Sequence, residues 1–410
     1  MSGNIAGLAS YNGTGTQGTA VVDSPEREGE IMSTIWNKND TTRQLITGMA
    51  LKEITPGGIV SNTLNNTTTT FTIGNDVDVI GEMFLYLSAK NKHSQDSYSN
   101  NFLFNLISKV EVLIGSQVWQ TLSPGQLMAS MQMRMEPTIY SSIFNETHIG
   151  TERYFNAVIP LFGMFTNTLS PFNSNFTDQR NNGYLMAAAP NQDMHIKVYW
   201  ADGKGVYGNA TDKLYDDTVY IEGCTMYCKQ STISNFEREQ IRSMVLPKRV
   251  MMTQTVSQTV AINTSTDISH TFNVNCDPFN IYASALAIKL SKYILIDLLG
   301  SASKSSGCTI ELFLNGSSYS GRISGEFLAW YGGLALNNLI GNEQIIMFPL
   351  ANCINGSGIP LNRFDSIRVV IKIQSGTFNF PSDRTDTLSV TAIGESTILY
   401  SGGAASLNKY

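Results

Sequence analysis

The sequence has few charged residues for its length. Only 15% of its 410 residues are Asp, Glu, Lys or Arg, whereas about 25% is usual for a soluble domain. The formal net charge is −6, so the basic face of a nucleic-acid-binding protein is not expected. Asn, Ser and Thr supply the polarity instead. This indicates a protein that covers much of its surface with partners and meets water through neutral polar groups.

Long apolar runs are also missing. No run reaches the roughly 18 residues of a membrane span. The first residues, MSGNIAGLAS, have neither the basic start nor the apolar core of a signal peptide. We therefore expect no membrane span, no secretion signal and assembly inside a cell.

Cysteine is scarce, with five residues in the chain. This number is too small for a disulfide framework, and Cys228 follows Cys224 without the His pair of a zinc site. We interpret four of the cysteines as small reduced hydrophobic side chains in or near strands, namely Cys224, Cys276, Cys308 and Cys353.

The sequence contains no recognisable catalytic pattern. The four histidines are His93, His148, His195 and His270. No two of them are close enough in sequence to lie on the same face of one helix or strand. The segment Gly203–Gly205 lacks the remaining residues of a phosphate-binding loop. Asp216 and Asp217 are adjacent carboxylates of the kind that is usually solvated in a loop. We predict no enzyme activity, no catalytic, cofactor-binding or metal-binding residues, and no cofactor.

Short alternating strands dominate what the sequence does contain. In MHIKVYW, residues 194–200, Ile196, Val198 and Trp200 alternate with polar side chains. Val77, Val79, Met83, Leu85 and Leu87 are predicted to share one face of another strand. No alternation of strands with long helices is present. The pattern therefore predicts antiparallel β-sandwiches or jelly rolls rather than a parallel α/β sheet.

Two helix starts carry a capping box. In the first, Ser123 is the predicted N-cap, Pro124 takes the first helical position and Gln126 completes the box. Its helix would place Met128, Met131 and Met135 on one face, which is typical of a core rather than of a ligand site. The second box runs from Ser234 to Glu237 and opens a short polar helix near the middle of the chain. We interpret that helix as the connector between two domains.

The two halves of the chain also repeat one another. Residues 109–116, KVEVLIGS, are similar to residues 309–317, TIELFLNGS. The segments around Pro160 and Pro349 form a second pair, and those that begin at Asp193 and Asp365 form a third. The shared order of the three pairs predicts two copies of one β-fold.

A family resemblance rests on the same segments. In NNFLFNLISKVEVLIGSQVWQTLSPGQLM the matching residues are Leu106, Ile107, Val110, Ile114, Gly115 and Gln117. This stretch resembles one in the double jelly-roll major capsid proteins of nucleocytoplasmic large DNA viruses and related double-stranded DNA viruses, with Ser116 in place of the family's second glycine. Residues 155–165, 184–200 and 225–244 are similar to later family segments. In the second half, Ser357, Gly358, Arg363 and Asp365 match a further motif, whose preceding proline is absent.

The resemblance implies an all-β protein of two consecutive eight-stranded antiparallel jelly rolls with a few short helices. It also implies a structural role in the virion capsid, as a homotrimer with a pseudo-hexagonal outline that tiles an icosahedral shell around a double-stranded DNA genome. The implied partners are neighbouring capsomers, minor capsid and penton proteins, and an internal membrane where a virus has one. Direct contact with nucleic acid is not expected.

The predicted organisation has five parts. They are an N-terminal arm (1–42), a first jelly roll (43–230), a connector helix (231–250), a second jelly roll (251–400) and a C-terminal tail (401–410). The arm is rich in Gly, Ser, Thr and Asn and is expected to order only against a neighbour.

An alternative function is a minor capsid or attachment protein with a carbohydrate-binding β-sandwich. That function would need exposed aromatic residues clustered in loops. The four tryptophans mostly lie in or beside predicted strands instead, and they are Trp36, Trp119, Trp200 and Trp330.

Overall fold

The computed structural model of the chain describes residues 46–57, 67–74, 76–91, 106–124, 126–127, 144–149, 152–161, 184–201, 219–233, 235–243, 245–262, 268–274, 281–289, 308–325, 327–328, 331, 345–350, 358–373 and 384–407. The predicted N-terminal arm lies outside these residues.

Strands dominate both halves of the described chain. The first half contains β1 (Ile46–Ile54), β2 (Thr68–Ile73), β3 (Val79–Asn91), β4 (Ile107–Ile114), β5 (Gln117–Leu122), β6 (Phe144–Ile149), β7 (Glu152–Pro160), β8 (Tyr184–Leu185), β9 (Met194–Trp200) and β10 (Val219–Ile233). The second half contains β11 (Leu246–Ile262), β12 (Ile268–Asn273), β13 (Tyr282–Lys289), β14 (Cys308–Leu314), β15 (Ser317–Ser318), β16 (Ile323–Ser324), β17 (Ile345–Pro349), β18 (Ile359–Pro360), β19 (Ile367–Ile373), β20 (Arg384–Ser401) and β21 (Ala404–Leu407).

Each half folds into two antiparallel sheets with the same winding. The first half has the orders β1-β10-β3-β7-β6 and β2-β9-β4-β5, and β8 adds to β3. The second half has the orders β11-β20-β13-β17 and β12-β19-β14-β15. Each half has eight principal strands when the additional strands β6, β8, β16, β18 and β21 are left out of the count. In both halves, one sheet then holds the first, eighth, third and sixth of these strands, and the other holds the second, seventh, fourth and fifth. This is the winding of an eight-stranded jelly roll, and the predicted double jelly roll is confirmed.

The three sequence repeats occupy equivalent strands of the two jelly rolls. Residues 109–116 and 309–317 lie in β4 and β14 with the turns that follow them. Pro160 and Pro349 end the equivalent strands β7 and β17. The third pair lies in β9 and β19, which take the same place in their sheets. The internal repeat is confirmed.

The predicted alternation of buried and exposed side chains is also present. In β9 every second residue from Met194 to Trp200 is buried, and β14 follows the same pattern. The predicted apolar face of residues 77–87 is buried in the core. Alternation places one face of each strand between the two sheets of its jelly roll, because successive side chains point to opposite sides.

A single α-helix is described in full, α1 (Asn235–Ser243), between β10 and β11. It lies within the predicted connector 231–250, whose remaining described residues, apart from Val245, belong to the two flanking strands. Pro247 stands inside β11 rather than stopping the helix directly. β11 lies at the edge of its sheet, and a strand edge is where proline is tolerated. Ser234, the predicted N-cap of this helix, lies outside the described residues.

The predicted C-terminal tail contains a strand. Ala404–Leu407 form β21, which pairs antiparallel with the end of β20, from Ile398↔Leu407 to Ser401↔Ala404. The turn between the strands contains Gly402 and Gly403, with φ of 61° and 78°. Glycine adopts these left-handed angles without the Cβ penalty of other residues. These four residues of the predicted tail therefore belong to a sheet of the second jelly roll.

Candidate functional site at the junction of the two jelly rolls

The junction of the two jelly rolls begins with a helical turn after β5. Ser123 N donates to Gln126 Oε1, and Gln126 N donates to Ser123 Oγ at 3.3 Å. This is the reciprocal capping box that the sequence predicts. Residues 128–143, including the predicted methionine face, lie outside the described residues. The capping box holds the Gln126 amide in one orientation.

The same Gln126 amide bonds to the second jelly roll. Its Nε2 donates to Thr255 Oγ1 on β11, and Thr255 Oγ1 lies 2.9 Å from Thr391 Oγ1 on β20. A parallel contact runs from Gln120 Nε2 on β5 to Thr253 Oγ1 at 2.9 Å. Gln120, Gln126, Thr253 and Thr391 are all at most 5% exposed. Buried hydrogen bonds are directional, so they fix the orientation of one jelly roll on the other as well as their contact.

An aromatic contact lies at a second point of the junction. Tyr184 of the first jelly roll and Tyr400 of the second have ring centroids 5.6 Å apart, with planes inclined by 59°. The backbone N–H of Leu185 donates to Tyr400 Oη at 3.0 Å. Burial raises the pKa of Tyr400 well above its ordinary value. The phenol therefore stays neutral at physiological pH and serves as a fixed hydrogen-bond partner.

The hairpin of β20 and β21 completes the contact. Gln192 pairs with the backbone of Ala405 as a strand would. It accepts from Ala405 N at 2.8 Å and donates to Ala405 O at 3.4 Å. Asn191 N donates to Gly403 O at 3.4 Å. The C-terminal hairpin is therefore attached to the loop before β9 of the first jelly roll.

The connector helix α1 is attached to the first jelly roll by an ion pair. Arg238 donates from Nε to Asp78 Oδ1 and from Nη2 to Asp78 Oδ2, both at 2.7 Å. Ile233 N donates to the same carboxylate at 2.9 Å. The hydrogen bonds with Asp78 raise the pKa of Arg238. Arg242 Nε donates to Ala187 O at 3.2 Å. Ile241, another residue of the same helix, is buried.

These junction residues were not predicted as a site. Gln126 was predicted only as a capping residue, and Gln120, Thr253, Tyr400 and Asp78 were not singled out. The sequence contains one indication, namely polar side chains inside strands that otherwise alternate. That indication does not identify the partners, because the contacts of these five residues across the junction join positions more than a hundred apart, for example 133 for Gln120 and Thr253.

The residues considered for catalysis are dispersed. His148, His195 and His270 lie on β6, β9 and β12, and His195 Nδ1 is 3.1 Å from Thr72 Oγ1. Within the described ranges, no three His, Cys, Asp or Glu side chains are grouped so that they could hold a metal ion. His93, Gly203–Gly205, Asp216 and Asp217 lie outside those ranges. The predicted absence of a catalytic, cofactor or metal site stays a prediction.

The cysteines in the described strands are buried thiols. Cys224, Cys228 and Cys308 are free, and burial raises the pKa of each to about 12. Cys276 and Cys353 lie outside the described residues. All three described thiols contribute to the core as small hydrophobic groups, as was predicted for Cys224 and Cys308.

The residues that carry the family resemblance have two kinds of environment. Leu106, Ile107, Val110 and Ile114 are at most 2% exposed, so this motif is a core strand. Gly115, with φ of 58°, starts the turn to β5. In the second motif, Arg363 and Asp365 are exposed beside a 3-10 turn at Leu361–Arg363, and Ser357 lies outside the described residues.

The described helices include none that is long and apolar enough to cross a membrane.

Comparisons with known proteins identify structures rather than sequences. No family model and no curated protein sequence matches the chain. The PBCV-1 protein VP54, as fitted into a reconstruction of the virophage Sputnik, matches with a TM-score of 0.66 at 13% identity, covering 89% of this chain and 97% of that one. A quasi-atomic model of the PBCV-1 virus capsid gives 0.64 at 13% identity, with 88% and 97% covered. The Faustovirus major capsid protein gives 0.55 at 10% identity, with 97% of both chains covered.

Proposed function

We propose, from the double jelly-roll fold that this chain shares with viral capsid structures, that the protein is the major structural subunit of an icosahedral viral shell. One observation carries the proposal. Two jelly rolls of identical winding stand side by side and are joined through a buried polar junction, and the match extends over 97% of the VP54 chain. Because a fold can host different functions, the proposal depends on how the subunit assembles.

We propose a homotrimer as the building unit. Three chains of two similar jelly rolls place six similar domains around one axis, which gives a pseudo-hexagonal outline that tiles a surface. Such units would enclose a double-stranded DNA genome and bind neighbouring capsomers, minor capsid proteins and penton proteins, with an internal membrane as a further contact. A net charge of −6 does not favour direct binding to the genome.

The N-terminal arm is proposed to bind outside the trimer. Ordering each residue costs roughly 1–2 kcal/mol of backbone entropy, and residues 1–30 contain few clustered apolar groups. Contacts with neighbouring capsomers, minor capsid proteins or a membrane would have to offset that cost. Deletion of residues 1–30 should therefore leave trimers intact and impair shell assembly.

Light scattering and electron microscopy test the proposal together. The purified protein should have three times the chain mass of 45.0 kDa, and images should show particles with a hexagonal outline. Particles that contain the protein should carry it in many copies over the shell. A stable monomer would contradict the proposal, and a few copies per particle would favour a minor capsid role instead.

The described tryptophans do not favour the carbohydrate-binding alternative. Trp119 and Trp200 are 3% and 1% exposed and are therefore core residues rather than a sugar-stacking platform. Trp36 and Trp330 lie outside the described residues.

A further inference from the structure

The two jelly rolls can be aligned residue by residue through their strand pairings. Pro160 pairs with Phe84 in the first jelly roll, and Pro349 pairs with Ala285 in the second. Continuing across both sheets gives two equivalent rows. They are Thr225–Tyr86–Val158 in the first jelly roll and Thr391–Ala287–Met347 in the second. The two rows occupy the same place on the same face of their sheets.

Equivalent residues differ sharply in exposure. Thr391, Ala287 and Met347 are 3%, 4% and 3% exposed, and Thr391 reaches the junction through Thr255. In the first jelly roll, Tyr86 and Val158 are 38% and 40% exposed. We call Tyr86 and Val158 the sheet surface.

The other side of the junction shows the same contrast. Ser123 pairs through the capping box with Gln126, which is 1% exposed because it lies against the second jelly roll. Strand register makes Ser324 the equivalent of Ser123, and Ser324 Oγ accepts from Phe327 N at 3.1 Å. Phe327 therefore takes the position of Gln126, but it is 54% exposed.

Phe327 is also part of an exposed aromatic pair. Its ring stacks on Tyr331 with centroids 5.5 Å apart and planes inclined by 10°. Tyr331 is 47% exposed. We call these two residues the ring surface. Exposed aromatic side chains that lie together are typical of protein–protein contacts, because they bury much apolar area with little loss of side-chain entropy.

We infer that the ring surface of one chain docks on the sheet surface of a second copy, in the way that Gln126 docks on the second jelly roll within the chain. Within one chain, the first jelly roll supplies the helical turn and the second supplies the sheet. The opposite combination, a turn from the second jelly roll and a sheet from the first, is left exposed on both sides. The occupant of each surface is therefore another copy of this chain.

The contact is heterologous, since each copy gives one surface and receives the other. Heterologous contacts close into a ring when the rotation permits, and the trimer proposed above is such a ring. The inference rests on that proposed function, and it adds which residues meet.

Two double variants test the contact. Phe327→Glu with Tyr331→Glu removes the ring surface, and Tyr86→Glu with Val158→Glu removes the sheet surface. Each variant alone should have the chain mass of 45.0 kDa in light scattering, because every contact needs both surfaces. An equimolar mixture should form a one-to-one heterodimer and nothing larger, because only one intact ring surface and one intact sheet surface remain to meet.

The heterodimer also shows that both variants are folded. The matched control is Val245→Glu, which adds a charge at an apolar residue that is 63% exposed and outside both surfaces, and it should have the wild-type mass. A wild-type monomer would overturn the proposed function together with this contact. A wild-type trimer whose double variants remain trimers would overturn the contact alone. Monomeric variants that fail to form a heterodimer when mixed would likewise overturn the heterologous contact.

Discussion

Arg238 of the connector helix and Asp78 of the first jelly roll form a bidentate ion pair, and both N···O distances are 2.7 Å. The Asp78 side chain is 6% exposed and that of Arg238 is 30% exposed. The carboxylate also caps the end of β10 by accepting from Ile233 N. One buried group therefore fixes the helix and the strand that leads into it.

Arg238→Met is expected to destabilise the protein by about 1.5–3 kcal/mol, the usual range for hydrogen bonds to a charged group. Urea unfolding followed by circular dichroism measures the change. Arg242→Met is the matched control and should cost less, because Arg242 donates to the neutral carbonyl of Ala187 and its ion pair with Glu239 is solvent-exposed. In the double variant with Asp78→Asn the costs should not add. Additive costs would mean that the pair does not act as a unit.

Gly394→Ala should be strongly destabilising. A Cβ at Gly394 would overlap the carbonyl oxygen of Tyr282, and it would lie 2.7 Å from Ala283 Cα. Overpacking of this kind costs about 1–3 kcal/mol, and backbone atoms yield less readily than a side chain. The control is Gly223→Ala, where nothing lies within 4 Å of the added Cβ. Equal thermal unfolding temperatures of the two variants would contradict the argument.

Gln192→Ala should loosen the C-terminal hairpin. The substitution removes both hydrogen bonds to Ala405, each worth about 0.5–1.5 kcal/mol. Hydrogen–deuterium exchange at residues 404–407 should become faster, while residues 388–393 stay protected. Gln258→Ala is the control, since Gln258 bonds to the backbone of Thr271 within the second jelly roll. The same exchange in both variants would show that Gln192 does not hold the hairpin.

Glu111 should make stability depend on pH. Burial raises the pKa of its carboxyl, but hydrogen bonds from Lys109 and Tyr199 outweigh burial, and the pKa lies below its ordinary value. A carboxyl with a lowered folded-state pKa stabilises the protein above its unfolded-state pKa, and this stabilisation is lost as pH falls through the folded-state pKa. The free-energy difference between wild type and Glu111→Gln should thus be largest near neutral pH and shrink on acidification.

Urea unfolding over a pH series measures that difference. Tyr199→Phe keeps the aromatic ring beside Lys109, 4.3 Å from Nζ to the ring centroid, and removes only the donated hydrogen bond of 2.8 Å. It should therefore show a weaker pH dependence than wild type. A difference for Glu111→Gln that is constant with pH would be evidence against the ionised carboxylate.

Native thiol labelling should spare three cysteines. Because burial raises the pKa values of Cys224, Cys228 and Cys308 to about 12, almost no thiolate is present at mildly alkaline pH, and the thiolate is the reactive form. Alkylation followed by mass spectrometry should modify these residues only after unfolding in guanidinium. Rapid native labelling of any of the three would show that its strand opens.

Much of the fold was predictable from local pattern. β9 was predicted from the alternation of Ile196, Val198 and Trp200, and these residues are buried as expected. The capping box of Ser123 and Gln126 was predicted from residues three positions apart, which must meet if the helix forms. The repeat assigned β4 and β14 to equivalent places because two copies of one fold repeat its strand order.

The junction was not predictable in this way. Gln126 bonds to Thr255, 129 positions away. No local pattern around either residue indicates the other as its partner. Asp78 is of a residue type that is ordinary in turns. The whole residue is nevertheless only 4% exposed, and its carboxylate binds Arg238 of the connector helix. The C-terminal residues are rich in Gly, Ala and Ser and lack a strand pattern, yet β21 forms because β20 and Gln192 offer hydrogen-bond partners.

The sequence by itself determined the strands, their buried faces and the presence of two similar halves, because these depend on side-chain period and on order along the chain. The tertiary structure alone decided which polar groups are buried between the halves and which equivalents stay exposed. Phe327 and Gln126 follow the same kind of N-cap serine, but only Gln126 is covered. That difference arises because the chain supplies one neighbouring sheet for two equivalent helical turns.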